Sequence, residues 1–126
     1  HKLLVLSPSQ VSNPLEAAVQ LARTIEQIVR QHNLTYALKI VGGIGVHQGE
    51  LILEQEDSTQ RVTSVGTTIL AAKRLAERAQ QEQAVYVSDD AYHALAGKIK
   101  VDKVSDKVWR LRDTGIHRAP PFQKQR

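Results

Sequence analysis

Residues 38–78 read LKIVGGIGVHQGELILEQEDSTQRVTSVGTTILAAKRLAER, and this stretch decides the fold. Its first part is an apolar segment with adjacent glycines at positions 42 and 43. Two glycines inside a strand weaken it, and they usually mark a bulge or a close approach by another backbone or a ligand. The last part begins at Gly66-Thr67-Thr68, after which apolar residues recur at helical spacing. The stretch therefore predicts a glycine-rich strand, a polar loop over residues 54–60 and an amphipathic helix.

Strand and helix signals continue on both sides of this stretch. Besides the glycine-rich strand, expected over residues 35–46, strands are predicted over residues 2–6, 50–54, 84–87, 100–104 and 107–112. A helix should begin at Asn13, with Pro14 in its first position and Glu16 completing a capping box, and close at His32-Asn33. A short helix should follow Ser88, which can cap it, and end before Gly97. Strands alternating with sheet-packed helices predict an α+β sandwich.

The composition limits the possible functions of the chain. It has 126 residues, enough for one domain, and it contains no cysteine, which excludes disulfide frameworks, thiolate metal sites and thiol nucleophiles. No apolar run reaches the roughly 20 residues of a membrane span, so we expect no membrane segment in this chain. The absence of cysteine fits a reducing compartment, and we expect a cytoplasmic location, with the soluble part of a membrane-anchored parent as the alternative. We assign residues 1–112 to the domain and residues 113–126 to a basic, disordered tail.

Positive charge is concentrated near the end of the chain. From Lys98 onward there are nine Lys/Arg residues against three Asp. A basic patch of this kind raises the possibility of nucleic-acid binding, but aromatic residues for base stacking are not interleaved with the charges. The alternative, a solvated strand pair followed by a basic tail, is favoured, and no nucleic-acid partner is predicted.

Single motifs carry little chemistry here. Gly66-Thr67-Thr68 at a helix start can bind phosphate through its amides, but the sequence is not a Walker loop. His47 beside Glu50 has the residues of an acid–base pair, although a structural role is more common for such a histidine. Asp89-Asp90 could be a metal pair, but acidic residues in the first turn of a helix are the simpler explanation. The residues alone therefore indicate an α+β domain without a defined activity.

Three segments, in order and at matching spacing, resemble one known family. GIGVHQGEL (residues 43–51), VTSVGTTILAAKRLAE (62–77) and AVYVSDDAYHALAG (84–97) are similar to the IGIHTGEV, YTVIGDTVNLAARLE and ILVSEATYELL segments of class III adenylate/guanylate cyclase domains. The resemblance implies a ferredoxin-like α+β sandwich that works as a head-to-tail dimer with active sites at its interface. By the same comparison, this chain lacks the first strand of the fold.

The resemblance also implies roles for individual residues. Thr63 matches the position that recognises the purine, and Gly66 and Thr67 match the nucleotide-binding turn, where Thr67 replaces the usual Asp. Arg74 matches the arginine that stabilises the transition state of phosphoryl transfer. Leu70 stands where the family has a ribose-orienting asparagine, and a leucine side chain cannot form that hydrogen bond.

Two functions follow from these matches. The family's two metal-binding aspartates have no counterpart in this sequence, so we predict no metal in this chain, and Mg²⁺ or Mn²⁺ would serve only an active parent. Leu70 favours a degenerate, non-catalytic cyclase-like domain that acts in dimerisation or regulation within a longer signalling protein. The alternative is a fragment of an active cyclase that converts ATP or GTP to a cyclic nucleotide, with its metal-binding half elsewhere. Either function predicts a homodimer or another form of self-association.

Overall fold

The computed structural model describes residues 2–50, 53–56, 59–62 and 67–112, which form three helices and six strands. The elements are α1 (Pro14–Thr35), β1 (Ile44–Val46), β2 (Leu53–Glu56), β3 (Thr59–Val62), α2 (Thr67–Gln80), β4 (Val85–Ser88), α3 (Asp89–Leu95), β5 (Val101–Ser105) and β6 (Val108–Leu111). Four strands form one mixed, open sheet in the order β1-β4-β6-β5, and β2 and β3 form a separate antiparallel hairpin. The predicted α+β class is confirmed.

The central strand β4 joins a parallel and an antiparallel half of the sheet. It runs parallel to β1, with Gly45 opposite Tyr86, and antiparallel to β6, with Val87 opposite Trp109. The β5–β6 pair is antiparallel, as predicted, with an irregularity in its register near Lys103. Because β1 and β4 are parallel, their carboxyl ends lie at the same edge of the sheet.

The side chains of β4 alternate between two apolar clusters. Val85 and Val87 are fully buried, and they belong to the cluster that contains residues of α1 and α3. Tyr86 belongs to the other cluster, with Leu75 and Ala79 of α2. Alternate residues of a strand point to opposite faces. The sheet is therefore covered on both faces, by α2 on one side and by α1 and α3 on the other.

The glycines of the first strand allow α2 to lie directly against it. A Cβ atom added to Gly43 would be 2.3 Å from the backbone nitrogen of Gln80, and one added to Gly45 would be 2.5 Å from the carbonyl oxygen of Ala72. Such distances are far inside van der Waals contact, so any side chain at either position would push the helix away. The close approach predicted from the glycine pattern is thus made by the α2 backbone. Gly42 has no neighbour within 4 Å of its built Cβ.

The helix ends follow local signals only in part. Ser88 caps α3 as predicted, because its Oγ accepts a hydrogen bond from the Ala91 amide at 3.2 Å. The helix ends at Leu95, and both Ala96 and Gly97 adopt positive φ angles. The predicted capping by Asn13 is wrong: α1 does begin beside it, but the Asn13 side chain makes no capping hydrogen bond.

The predicted strand over residues 2–6 is wrong, and the strand predicted over residues 35–46 is observed only at its end, as β1. Residues 2–6 form no strand, and Leu3 and Leu4 are exposed. Among the described residues, only β1 of the glycine-rich segment is hydrogen-bonded to another strand. That strand is β4, which pairs with residues 44–46 alone. The amide of Asn33 instead satisfies the backbone of Ile40, accepting from its N–H at 2.8 Å and donating to its carbonyl at 2.9 Å.

The polar stretch after β1 also differs from the prediction. The sequence predicts a strand over residues 50–54, of which residues 51–52 lie outside the described residues, and a loop over residues 54–60. Instead, β2 pairs with β3, with Leu53 opposite Val62 and Glu56 opposite Thr59. The sequences LEQE and TQRV carry a weak strand signal because most of their residues are polar. Main-chain pairing between adjacent segments decides the structure here.

Two further predictions concern the tail of the chain and a membrane segment. Residues 113–126, expected to form a basic tail, lie outside the described residues. None of the described helices combines the length and the apolar character needed to cross a bilayer.

We predict that Gly45→Ala destabilises the domain by about 2 kcal/mol or more, because its methyl group would overlap the α2 backbone. Gly42→Ala is the matched control, with an expected change below about 1 kcal/mol, since its methyl group meets no atom and alanine restricts the unfolded chain. Urea unfolding followed by far-UV circular dichroism measures both free energies. Equal stabilities of the two variants would contradict the contact between α2 and β1.

Candidate functional site

A histidine and a serine meet where the parallel strands β1 and β4 end. His47 directly follows β1, and its Nδ1 lies 2.7 Å from the Oγ of Ser88, the last residue of β4. Ser88 is 8% exposed, and its Oγ also accepts from the Ala91 amide. When Nδ1 carries no proton, the serine hydroxyl donates to it. One hydroxyl thereby caps α3 and fixes the orientation of the His47 ring, and the suggested pairing of His47 with Glu50 is replaced by a bond to Ser88.

Asp89 and Trp109, the single tryptophan of the chain, extend the pair of His47 and Ser88. Together with His93 we call these residues the polar cluster. The indole Nε1 of Trp109 donates to the Asp89 carboxylate at 3.0 Å, and His93 Nε2 lies 3.3 Å from the same oxygen. The indole hydrogen bond holds the pKa of Asp89 below its ordinary value, and His93 acts in the same direction. Tyr92 stacks on the indole with 4.1 Å between ring centroids. Asp89 is therefore held in place by side chains of this domain.

The described residues do not assemble a metal centre. They contain no group of three or more His, Cys, Asp or Glu residues close enough to hold one ion. Asp90, considered with Asp89 as a metal pair, is exposed in the first turn of α3, and Asp89 is engaged by Trp109. The structure is thus consistent with the capping role of these two acids.

The residues singled out on α2 form one exposed stripe. Thr67, Leu70 and Arg74 are exposed and three and four residues apart, so they lie on one side of the helix. Leu75 and Ala79, on the opposite side, are buried against the sheet. No hydrogen bond or ion pair joins the Arg74 guanidinium to another described residue. Thr63 and Gly66, the other predicted nucleotide-binding residues, lie outside the described residues.

The start of this stripe is close to the polar cluster. Helix α2 runs antiparallel to β1, because Gly43 contacts the end of α2 while Gly49 contacts Thr68 near its start. A Cβ atom on Gly49 would be 2.5 Å from Thr68 Oγ1. The N-terminus of α2 therefore lies beside the segment that carries His47. The amide groups at the start of α2, the Thr68 hydroxyl and the His47 imidazole lie at one edge of the sheet, where they can together bind an anionic group. The stripe of Thr67, Leu70 and Arg74 begins at this edge.

A separate network of charged side chains lies on the sheet, and its members form hydrogen bonds and ion pairs with one another. Arg110 donates to Glu82 at 2.7 Å and lies 3.5 Å from Asp102, which also accepts from Arg112 at 2.6 Å. These bonds lower the pKa of both carboxyls, with the Arg110 bond as the main cause for Glu82 and the Arg112 bond for Asp102. Tyr86 donates to Glu82 at 2.9 Å, and burial raises its pKa. Since every one of these groups has a partner, the network fits a structural role.

Sequence reasoning missed the bonds that define the polar cluster. His47 and Ser88 are 41 residues apart, and only the parallel pairing of β1 with β4 brings them together. The sequence did carry a signal for this contact. His47 follows one apolar run and Ser88 ends another, and the carboxyl ends of parallel strands lie at the same edge of a sheet. The bond between Asp89 and Trp109 has no such signal, since it depends on the register of β6.

Comparison of the chain with protein-family models, with curated proteins and with solved structures finds no match. The cyclase resemblance therefore rests on the three sequence segments alone, and its functional consequences are proposals.

We predict that Asp89 makes the domain sensitive to acid. A carboxyl whose folded pKa is lowered stabilises the fold above its unfolded pKa, near 4, and this contribution is lost as the pH falls through the folded pKa. The free energy of unfolding should therefore fall from about pH 5 to pH 3 more steeply in the wild type than in Asp89→Asn, which keeps an acceptor for Trp109.

Asp90→Asn is the control, because it removes the same charge from the exposed neighbouring position. It should keep the steeper fall of the wild type. Urea unfolding at several pH values, followed by circular dichroism, gives the slopes. If Asp89→Asn and the wild type have the same pH dependence, the carboxylate is not stabilised by the indole.

Proposed function

We propose that this chain is a degenerate class III nucleotidyl cyclase-like domain, which does not cyclise nucleotides and acts in dimerisation or regulation within a longer signalling protein. The ferredoxin-like arrangement of that family is part of this proposal. It is supported by the three matching segments and by the order of a glycine-rich strand, a helix lying against it and a neighbouring parallel strand.

Leu70 carries the proposal. It is 40% exposed and lies on the side of α2 that faces away from the sheet, between Thr67 and Arg74. Core packing therefore does not require an apolar side chain at this position. An aliphatic group in the middle of the stripe can neither donate nor accept a hydrogen bond, so it cannot orient a ribose. The position that the resemblance assigns to substrate orientation has lost that chemistry without a packing reason.

The exposed stripe also supports a role at an interface. Thr67, Leu70 and Arg74 point away from the domain, and a ligand bound along them would be open to solvent on its outer side. Electrostatic stabilisation of a phosphoryl group is strong only where water is excluded. A second subunit covering the stripe would provide that exclusion, as the head-to-tail arrangement implied by the resemblance would do.

The alternative function is that of an active cyclase fragment acting on ATP or GTP with Mg²⁺ or Mn²⁺ bound elsewhere. Its support is Arg74, whose exposed guanidinium has no partner among the described residues and matches the transition-state arginine in sequence. Thr63 adds support from sequence only. A guanidinium can bind phosphoryl oxygens through two parallel hydrogen bonds, which is what this role requires.

We predict that the chain forms no cyclic nucleotide when incubated with ATP or GTP and Mn²⁺, as measured by chromatography of the products. Leu70→Asn should also be inactive, because the residue pair that would hold two metal ions has no counterpart in this sequence. The same assay on the longer parent protein should give no product either.

Turnover in these assays would support the alternative only if it depends on the proposed arginine. Arg74→Ala should then lower the rate by about 10²-fold or more, as expected for loss of a transition-state contact. Lys73→Ala is the control, since Lys73 is an exposed cation of the same helix outside the stripe. Product formation that is lost in Arg74→Ala and kept in Lys73→Ala would overturn the degenerate assignment.

A further inference from the structure

A groove lies between the first turns of α1 and the end of α3, on the face of the sheet opposite α2. Its volume is about 540 Å³, which is within the range of roughly 300–1,000 Å³ found for small-molecule sites. One wall is a side of α1 that extends from Asn13 to Arg23, a length of about 15 Å. The other wall is the segment that joins α3 to β5.

The bottom of this groove is apolar and continuous with the core. Val19 and Leu95 are 3% and 2% exposed, and Ile99 packs against the same cluster. Polar side chains line the groove nearer to solvent, where Asn13 and Gln20 are exposed. An apolar interior with a few polar groups around it is the usual composition of a site for a small amphipathic molecule.

Two of the three charged residues that line the groove neutralise each other. Lys98 Nζ donates to Glu16 at 2.7 Å and so connects the two walls at the Asn13 end. The third charged residue, Arg23, lies at the other end of the α1 wall. With two cations and one acid, the lining has a net charge of +1. A ligand that balances this charge carries a single negative charge.

Arg23 is the lining cation that is available to a ligand. Its side chain is half-buried, and it makes no hydrogen bond or ion pair with another residue in the part of the chain that the structure describes. Glu26, the nearest acid along the helix, forms an ion pair with Arg30 at 3.5 Å. A guanidinium presents donors in a planar fork that matches the two oxygens of a carboxylate. Arg23 can therefore hold an anionic head group while the bottom of the groove contacts an apolar body.

We propose that this groove binds a small molecule with one carboxylate on an aliphatic body. The carboxylate pairs with Arg23, and the body lies along Val19 and Leu95. A phosphate monoester fits less well, because its second negative charge exceeds the charge of the lining and is repelled by Glu16. A neutral apolar molecule would leave the guanidinium unpaired. The site is independent of any nucleotide bound along α2, because the two lie on opposite faces of the sheet.

The first test compares three probes that share one aliphatic body. Octanoate should bind with a millimolar or tighter Kd, as expected for a ligand of about ten non-hydrogen atoms. Octanamide, which lacks the charge, should bind at least about tenfold more weakly, and octyl phosphate no more tightly than octanoate. Titration of the ¹⁵N-labelled chain, followed by nuclear magnetic resonance, gives each Kd. The amides that shift should be those of residues 11–23 and 95–99.

The second test removes the charge of the proposed head-group site. Arg23→Gln should weaken octanoate about tenfold, so that it binds no more tightly than octanamide. Lys73→Gln is the matched control, because it removes the same charge from an exposed position of α2 on the opposite face, and it should leave both probes unaffected. Circular dichroism verifies that both variants are folded.

The third test adds a negative charge to the wall of the groove. Gln20→Glu should weaken octanoate several-fold, because the new carboxylate repels that of the ligand. Gln31→Glu is the control, since it makes the same substitution at an exposed position of the same helix outside the groove. Ala17→Phe should prevent binding of every probe, because the ring occupies the groove itself.

Four outcomes would overturn the proposed site. They are no binding of octanoate at about 10 mM, equal affinities for octanoate and octanamide, an octanoate affinity that Arg23→Gln and Lys73→Gln leave equally unchanged, and shifts confined to amides elsewhere in the chain. Tighter binding of octyl phosphate would assign the groove to phosphate monoesters and would also reject the carboxylate. None of these results bears on the proposed cyclase-like function, which is decided by the Arg74 and Leu70 variants.

Discussion

The close contact between the α2 backbone and the glycine-rich strand is the constraint on which the rest of this structure depends. Gly43 and Gly45 meet backbone atoms of the helix directly, so the distance between helix and strand is set by main chain and not by adjustable side chains. This contact fixes which side of α2 faces the sheet. Thr67, Leu70 and Arg74 are consequently directed outward, and the start of the helix lies beside the edge that holds His47 and Ser88.

The same sheet supports two separate apolar clusters. Because β4 is buried on both faces, each of its residues belongs to the packing of one layer only, with Val85 and Val87 on one side and Tyr86 on the other. Changes on the α2 side are thus separated from α1 and α3 by the full thickness of the sheet. A change on the exposed side of α2 can therefore leave the packing of α1 and α3 intact. Both layers also share β6, which contributes Leu111 to one cluster and Val108 to the other.

Elements with strong local signals could be predicted from the sequence, and elements that depend on distant pairing could not. Helix α2, the Ser88 cap and the β5–β6 pair follow from helical spacing, a capping residue and strand alternation. The strand at residues 2–6 and the long strand at residues 35–46 were predicted from apolar character alone. Strand formation also needs a partner, and within the described residues only β4 offers one to this segment. In the same way, the helix that carries Leu70 and Arg74 could be predicted from local spacing, whereas the bond between His47 and Ser88 required knowledge of the sheet.

The environment of Trp109 has a spectroscopic consequence. As the single tryptophan of the chain, it is the dominant source of intrinsic fluorescence at red-edge excitation, and its indole is stacked on Tyr92 and bonded to Asp89. The emission therefore reports one place in the molecule, the junction between the last strand and α3. An anion or a proton that alters the Asp89 carboxylate changes the polarity around the excited indole directly. The domain thus carries a built-in optical reporter beside its polar cluster, readable without any label.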